Sequence, residues 1–340
     1  MSPLLSASAV VLIVGLAGTA IVFSAHDDPN RPTVLAQTEP QSASSRPVLT
    51  SAAAVRPAPA ASMQVFRPPP DSAIPDNEFG KEVKLGQAIF NGTSPLAAPF
   101  VGNSLRCASC HLDGGKLPNS APLWSAYLTY PAYRNKNGHV NTLVERIQGC
   151  FQYSMNGKAP PLGDKVLVAL ESYAFFLAKG GPVGTKLPGG GYPTPPEPAL
   201  AMDFDRGAKV FASKCALCHG PDGQGQASAG ATVFPPLWGP KSFNWGAGMG
   251  SIKNAAGFIK ANMPLSQGNT LSDQEAWDVA MFMDSHERPQ DPRFKGSIAD
   301  TRKQHHDSPM DMYGQVVNGQ LLGKGTAMAM ATRAGKKVFP

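Results

Sequence analysis

Apolar residues are unevenly distributed along the 340-residue chain, and their pattern divides it into segments. Residues 4–25 are almost entirely apolar, about the length needed to span a bilayer, whereas the Pro-, Ala- and Ser-rich residues 27–72 show no apolar periodicity. We therefore expect residues 1–26 to form a membrane anchor or signal segment, followed by an extended tether. Because no Lys or Arg precedes the run and its end is a poor cleavage sequence, a retained anchor is favoured over a cleaved signal.

Two later stretches, residues 164–179 and 272–286, have the apolar spacing of amphipathic helices. The second begins with Ser272 and has Glu275 three residues later, which is the pattern of a capping box. We therefore expect a long helix near the end of each half of the chain.

A shorter helix-like stretch precedes each of these helices, and in both a glycine lies four residues before a phenylalanine, at Gly86 and at Gly207. Residues four apart share one face of a helix. The chain therefore contains one structural repeat, in which the small glycine is expected to let the first helix of each half pass close to an aromatic residue of the last helix. The expected aromatic residues are Tyr173 and Trp277.

Glycine and proline are abundant, with 35 and 33 residues, and predict long stretches without regular structure. The Gly- and Pro-rich residues 183–200 are predicted to link a first domain at 73–182 to a second at 201–290. Beyond them, residues 291–340 are predicted to form an irregular strap that extends over the surface and ends in a loosely ordered tail. We expect the His305-His306 pair in this strap to be a solvated surface feature.

The chain has five cysteines, and an odd number argues against a framework of disulfides. Four of them form two C-x-x-C-H motifs, in which two thiols bind one haem covalently and the histidine ligates its iron. The motifs predict two covalently bound haem c groups, a mainly α fold of two tandem c-type cytochrome domains, and a periplasmic location. The expected attachment residues are Cys107, Cys110, Cys215 and Cys218, and the expected iron ligands are His111 and His219.

The second protein ligand of each iron is less constrained by spacing. In the second domain, Met263 precedes a proline between the haem motif and the last helix, where a methionine ligand is expected; methionine raises the reduction potential. Other methionines of that domain are its competitors. In the first domain, Cys150 and Met155 both offer a soft sulfur, and the spacing does not distinguish them. A thiolate would lower the potential and could also bond to a sulfur substrate.

Residues 142–158, TLVERIQGCFQYSMNGK, resemble the di-haem thiosulfate dehydrogenase family, and so do RPQDPRF at 288–294 and MYG at 312–314. The resemblance covers most of residues 72–314. It implies an enzyme that joins two thiosulfate ions into tetrathionate and releases two electrons, although some members work better in reverse. The second haem would then pass electrons to a soluble or membrane-bound cytochrome c acceptor.

The resemblance also assigns residues to the active site. It implies that His111 and Cys150 ligate the active-site haem and that Lys136, Arg146 and Ser154 line the substrate pocket. The charge distribution agrees with an anion site there, because residues 101–160 contain six basic and two acidic residues, whereas 201–290 contain seven basic and eight acidic ones. The whole chain carries a net charge of +6, and no nucleic-acid partner is expected.

One position departs from the family pattern. Some members have a lysine directly before the distal methionine that ligates the second haem, but this chain has Asn262 there and its nearest lysine, Lys260, is two positions away. We therefore expect His219 and Met263 to ligate this haem. The departure leaves a tetrathionate reductase as one alternative. A membrane-tethered electron carrier without a substrate is another, which ligation by Met155 would favour.

Overall fold

The computed structural model describes residues 65–229 and 231–326. The predicted anchor at 4–25, most of the predicted tether and the last part of the predicted tail lie outside these residues. Within the described part of the chain, no helix is both long enough and apolar enough to cross a membrane.

The described residues form a mainly helical structure with three small hairpins. The helices of the first domain are α1 (Glu78–Asn91), α2 (Thr93–Leu96), α3 (Leu112–Gly115), α4 (Leu123–Thr129), α5 (Leu143–Gly149) and α6 (Lys165–Ala178). Those that follow are α7 (Phe204–Lys214), α8 (Ala216–His219), α9 (Ile252–Asn262), α10 (Asp273–Asp284) and α11 (Ile298–His305). The antiparallel strand pairs are β1 (Ala132–Arg134) with β2 (His139–Asn141), β3 (Gln226–Ser228) with β4 (Ala231–Phe234), and β5 (Val316–Val317) with β6 (Gln320–Leu321).

The two long helices predicted from the apolar spacing are α6 and α10. The Asp164 side chain accepts a hydrogen bond from the Val166 amide at the start of α6. Ser272 and Glu275 form the predicted capping box at the start of α10, where each side chain accepts from the other residue's amide. Both helices therefore begin where their side chains satisfy amide groups that have no partner inside the helix.

The close crossing predicted at Gly86 is confirmed. A Cβ atom there would lie 2.0 Å from the Ala169 carbonyl oxygen and 2.8 Å from the Tyr173 Cβ, so α1 and α6 touch through backbone. At Gly207 the crossing is equally close, but the aromatic residue is Phe282, whose Cβ would lie 2.7 Å away. Phe282 therefore takes the place predicted for Trp277, whose indole donates a hydrogen bond to the Pro196 carbonyl.

Each domain has its own apolar core. Trp124 and Leu177 are completely buried in the first, and Trp245 and Tyr313 are almost completely buried in the second. Burying a side chain such as Leu177 stabilises the fold by roughly 1.5–3 kcal/mol. Met249 packs against both cores, which places its segment at the contact between the two domains.

The C-terminal segment differs from the prediction of an extended surface strap. Residues 298–305 form α11, which Ser297 caps, and residues 316–321 form a hairpin inside the predicted tail. His306 is only 3% exposed, so the prediction of a solvated pair is wrong for this residue. Its ring nitrogens lie 2.7 Å from an Asp311 oxygen and 2.9 Å from an Asp291 oxygen. Burial alone would lower the pKa of His306, but these hydrogen bonds outweigh it and raise that pKa.

Both predicted linkers contain residues that pack against a domain. Phe66, at the end of the predicted tether, lies against Trp124 with ring centroids 5.1 Å apart. Tyr192, in the predicted interdomain linker, makes an edge contact with Phe258 of α9, with centroids 5.6 Å apart. Composition therefore indicated the lack of regular structure in these segments but not their packing.

Candidate functional site

A cavity of about 350 Å³ lies in the first domain. Its wall contains Cys107, Cys110 and His111 of the first C-x-x-C-H motif, together with Cys150 and Met155. The cysteines are not paired in disulfides. Burial raises the pKa of the Cys107 and Cys110 thiols to about 12, and both residues line the same cavity.

A second cavity of about 310 Å³ lies in the second domain. Its wall contains Cys215, Cys218 and His219 of the second motif and also Met263. All four predicted residues therefore meet in one mainly apolar cavity, whose wall also contains Met249 and Met283.

The two motif histidines are oriented in the same way. His111 Nδ1 lies 2.6 Å from the Ala121 carbonyl oxygen, and His219 Nδ1 lies 2.9 Å from the Pro235 carbonyl oxygen. A carbonyl accepts a hydrogen bond only from a protonated nitrogen, which leaves the lone pair on Nε2 for a metal. Together with the paired thiols, this arrangement fits one covalently attached haem in each cavity.

Cys150 occupies an unusual backbone position. Thr142 and Glu145 form a capping box at the start of α5, and α5 runs directly into a π-helical turn at Cys150–Ser154. Single π-helical turns occur frequently at functional sites. The turn places Cys150 in the cavity wall, one helical turn after Arg146.

The Arg146 guanidinium contacts the Cys150 sulfur. Its Nη1 lies 3.2 Å from Cys150 Sγ, and Cys150 is the main reason that the pKa of Arg146 is raised. Met155 also lines the cavity and is 3% exposed, so both sulfurs that the sequence left open are present in this wall.

The predicted pocket residues do not all lie in the cavity wall. Arg146 and Ser154 line it, and so does Arg134, whereas Lys136 lies beside the described wall. Although Lys136 as a residue is exposed, its ammonium turns inward, donates to the Gly246 carbonyl and lies 3.9 Å from the centre of the Tyr153 ring. Burial of this ammonium, with Arg293 and Arg146 nearby, lowers the pKa of Lys136 to about 7.

Two tyrosines of the wall were not predicted from the sequence. Tyr192 comes from the Gly- and Pro-rich linker, and burial raises its pKa well above the usual value. The Tyr130 hydroxyl is buried and has no hydrogen-bond partner among the described residues. It is therefore a donor available to a bound group. The only signal in the sequence that could have identified such a tyrosine was an aromatic residue close to a basic stretch, and many residues share that pattern.

The two cavities adjoin each other. Leu105, Cys110 and Met249 belong to the walls of both. The first haem motif therefore lies between the two cavities, and the segment that carries Met249 closes both of them from the side of the second domain.

Comparisons with known proteins agree with this arrangement. The SoxA/TsdA cytochrome c domain model matches residues 98–183, and the cytochrome c model matches residues 204–287. These matches confirm the prediction of two tandem cytochrome c domains that carry two covalently bound haem c groups.

Several curated relatives have the same name. A thiosulfate dehydrogenase from Thiomonas intermedia is 62% identical over 258 residues, which cover 76% of this chain and 82% of the relative. A thiosulfate dehydrogenase from Stutzerimonas stutzeri is 52% identical over 262 residues, which cover 76% of this chain and 85% of the relative.

A solved structure is also similar. It is the as-isolated form of the thiosulfate dehydrogenase TsdBA from Marichromatium purpuratum, with a TM-score of 0.74 and 49% sequence identity. The match covers 77% of this chain and 58% of that chain.

Proposed function

The chain belongs to the thiosulfate dehydrogenase family, and we propose that it oxidises two thiosulfate ions to tetrathionate at the first cavity. The two electrons then leave through the second cavity to an external acceptor. The contact that carries this proposal is the 3.2 Å distance between Arg146 Nη1 and Cys150 Sγ. It places a cation beside a nucleophilic sulfur in the wall of a haem cavity.

The polar groups of the first cavity suit an anionic substrate. Each thiosulfate carries two negative charges, and joining two of them requires that like charges approach each other. Arg134 and Arg146 offset this repulsion, and the Ser154 and Tyr130 hydroxyls supply further donors in the same wall. Lys136 lies beside the wall, where Gly246 and Tyr153 hold its side-chain nitrogen.

The chain's own residues hold the haems in the following way. His111 and Cys150 would ligate the first iron, and His219 and Met263 the second. Each haem, when bound, accepts and releases one electron at a time. Lys260 is engaged elsewhere, since its ammonium donates to the Leu271 carbonyl and pairs with Asp273 at 3.1 Å. This engagement supports Met263 as the ligand of the second haem.

Cys150 provides a covalent route that balances in atoms and electrons. The Cys150 thiolate and the outer sulfur of one thiosulfate form a sulfur–sulfur bond, and two electrons leave the site. The terminal sulfur of a second thiosulfate then attacks the adduct at the sulfur that came from the first thiosulfate and is bonded to Cys150. Tetrathionate departs, and Cys150 is restored as a thiolate.

Electrons leave most directly where the second cavity meets the surface. Leu217, between the two cysteines of the second motif, is 87% exposed, and Leu265 and Val233 of the cavity wall are 55% and 49% exposed. Exposed apolar side chains grouped in this way mark a contact surface for a protein partner. We propose that the partner is a cytochrome c, soluble or membrane-bound.

The proposed location is the periplasm, as the covalent haem motifs require an exported chain. Tethering to the inner membrane through residues 4–25 remains part of this proposal, and that segment lies outside the described residues.

The proposal is tested by thiosulfate-dependent reduction of an artificial acceptor by the purified full chain, compared with Cys150→Ala and Met155→Leu. We expect Cys150→Ala to lower turnover by at least roughly 10³-fold, as loss of a catalytic nucleophile does, and Met155→Leu to retain most activity. Activity that survives Cys150→Ala would overturn the covalent route. If the parent neither oxidises thiosulfate nor reduces tetrathionate, the chain is an electron carrier. Turnover of tetrathionate alone would identify a reductase.

A further inference from the structure

The π-helical turn that carries Cys150 leaves carbonyl groups that its own helix does not satisfy. The Met155 amide donates to the Cys150 carbonyl at 2.9 Å, and the Gly157 amide donates to the Phe151 carbonyl at 2.9 Å. The next three carbonyls, those of residues 152–154, receive donors from other segments, and the Tyr153 carbonyl also accepts from the Asn156 amide at 3.3 Å. Buried carbonyls need such partners, so whatever supplies them helps to determine the shape of the turn.

Asn244 of the second domain supplies two of these donors. Its side-chain Nδ2 donates to the Gln152 carbonyl at 2.9 Å, and its backbone amide donates to the Tyr153 carbonyl at 3.2 Å. The same Nδ2 also donates to Asn156 Oδ1 at 3.1 Å, and Asn244 Oδ1 accepts from the Gly246 amide at 3.1 Å. Asn244 is 1% exposed, so water does not compete for these bonds.

The third carbonyl, that of Ser154, accepts its hydrogen bond from a residue of the first domain. Asn103 Nδ2 donates to the Ser154 carbonyl at 2.8 Å and to the Ser242 carbonyl at 3.1 Å. Asn103 thus joins the π turn to the segment that carries Asn244. Residues 242–246 and the π turn are therefore tied together at three consecutive carbonyls.

Residues 242–246 are themselves fixed by the end of the second domain. The Arg288 guanidinium is completely buried, with its Cζ 4.3 Å from the centre of the Phe243 ring and 5.1 Å from that of Trp245. The Trp245 amide donates to the Pro289 carbonyl at 3.0 Å. Both neighbours of Asn244 are therefore anchored, which leaves Asn244 little freedom to move away from the turn.

The same C-terminal motif reaches the π turn by a second route. Asp291 holds Arg293 through bonds of 2.6 and 3.0 Å, and the Arg293 Cζ lies 5.2 Å from the centre of the Tyr153 ring. Lys136 contacts that ring as well, at 3.9 Å. The RPQDPRF motif thus acts on both the backbone and a side chain of the turn that contains Cys150.

We propose that Asn244 is a positioning residue for Cys150: by holding the π turn, it keeps the Cys150 sulfur in the wall of the first cavity. The second domain then determines the sulfur ligand of the first haem, in addition to accepting its electrons. This inference rests on the proposed role of Cys150 as a ligand of the first haem.

The test measures haem ligation, not turnover, in the oxidised full-length protein with both haems attached. Electron paramagnetic resonance and absorption spectra distinguish a thiolate-ligated from a methionine-ligated low-spin haem. In Asn244→Ala we expect the thiolate-ligated fraction of the first haem to fall at least about twofold, because the ligand-competent turn becomes less populated. The methionine signature of the second haem is expected to remain.

Two further variants make the test specific. Asn244→Asp keeps the shape of the side chain and the acceptor for Gly246 but lacks the side-chain donor to Gln152. It is therefore expected to lower the thiolate-ligated fraction of the first haem as Asn244→Ala does, without the cavity that the alanine leaves at this position. Asp278→Ala removes an equally buried polar residue of the second domain, one that pairs with Arg206 and does not bond to the π turn. It is expected to leave the ligation of the first haem unchanged.

The outcomes separate this inference from the proposed function. A thiolate fraction equal to that of the parent in both Asn244 variants overturns the inference, and so does an equal loss in Asp278→Ala. A parent that shows no thiolate signature overturns the role of Cys150 as a ligand and this inference with it. A parent with the signature and with thiosulfate turnover leaves the proposed function intact, whatever the Asn244 variants show.

Discussion

The two domains use the same scaffold for different purposes. In both, a glycine lets the first helix touch the last one, a C-x-x-C-H motif supplies two thiols, and the motif histidine donates Nδ1–H to a backbone carbonyl. They differ on the opposite side of the cavity. The first domain places Cys150 there on a π turn beside Arg146, and the second places Met263 directly after the regular helix α9.

The two sulfurs have different surroundings. The wall that contains Cys150 includes three arginines, Arg106, Arg134 and Arg146, and the hydroxyls of Ser154 and Tyr130, which suit anions. The wall that contains Met263 is more apolar, since it includes Phe258, Val279 and Met283, although Arg106 and Lys214 also belong to it. The two domains therefore share the residues that attach the haem and differ in the residues around Cys150 and Met263.

Among the changes that contrast the two domains, removing the Arg146 cation of the first cavity should have the largest effect on the rate. In Arg146→Met we expect kcat/KM for thiosulfate to fall roughly 10²-fold, because a positioned donor beside the reacting sulfur is lost. Steady-state kinetics with an artificial acceptor measure this change. The matched control is Lys158→Met, which removes an exposed cation of the same domain. Equal losses in the two variants would mean that net charge, not the Cys150 contact, governs the rate.

Removing the Met263 sulfur of the second cavity should change the reduction potential of the second haem more than it changes the reaction of thiosulfate in the first cavity. In Met263→Ala we expect the potential of the second haem to fall by more than about 59 mV, the amount that shifts a one-electron equilibrium tenfold. Spectroelectrochemical titration measures this shift, with the first haem as internal reference. Met283→Leu changes another methionine of the second cavity wall and should leave the potential unchanged. The opposite result would assign the ligand to Met283.

The smallest effect is expected at the surface of the second domain. Leu217→Lys places a charge in the exposed apolar patch, and we expect the rate with a cytochrome c acceptor to fall about three- to tenfold through slower association. The rate with a small artificial acceptor should stay the same, because the catalytic cavity is untouched. Leu162→Lys, at a position that is 75% exposed in the first domain, serves as the control. Equal slowing with both acceptors would contradict a docking role for Leu217.

The C-terminal segment shows why some predictions from the sequence failed. His306 was expected to be solvated, yet its two carboxylate partners are Asp291, fifteen residues earlier, and Asp311, five residues later. Nothing in the spacing of a His-His pair indicates that both partners approach it. Tyr192 was missed for a similar reason, since a Gly- and Pro-rich segment indicates irregular backbone and does not indicate what the backbone packs against.

The sequence by itself determined the features that depend on neighbouring residues. Two thiols and a histidine within five residues are enough to predict haem attachment, and a serine with a glutamate three residues later is enough to predict where α10 begins. These features are local because the interacting groups are held within a turn or two of the chain.

Only the tertiary structure decided how the first distal side is built. Cys150 and Met155 are equivalent in sequence terms, and it is the fold that ties the π turn to Asn244, 94 positions after Cys150 in the chain. Such contacts depend on how separately formed segments pack together. Their partners therefore become visible only once both domains are folded against each other.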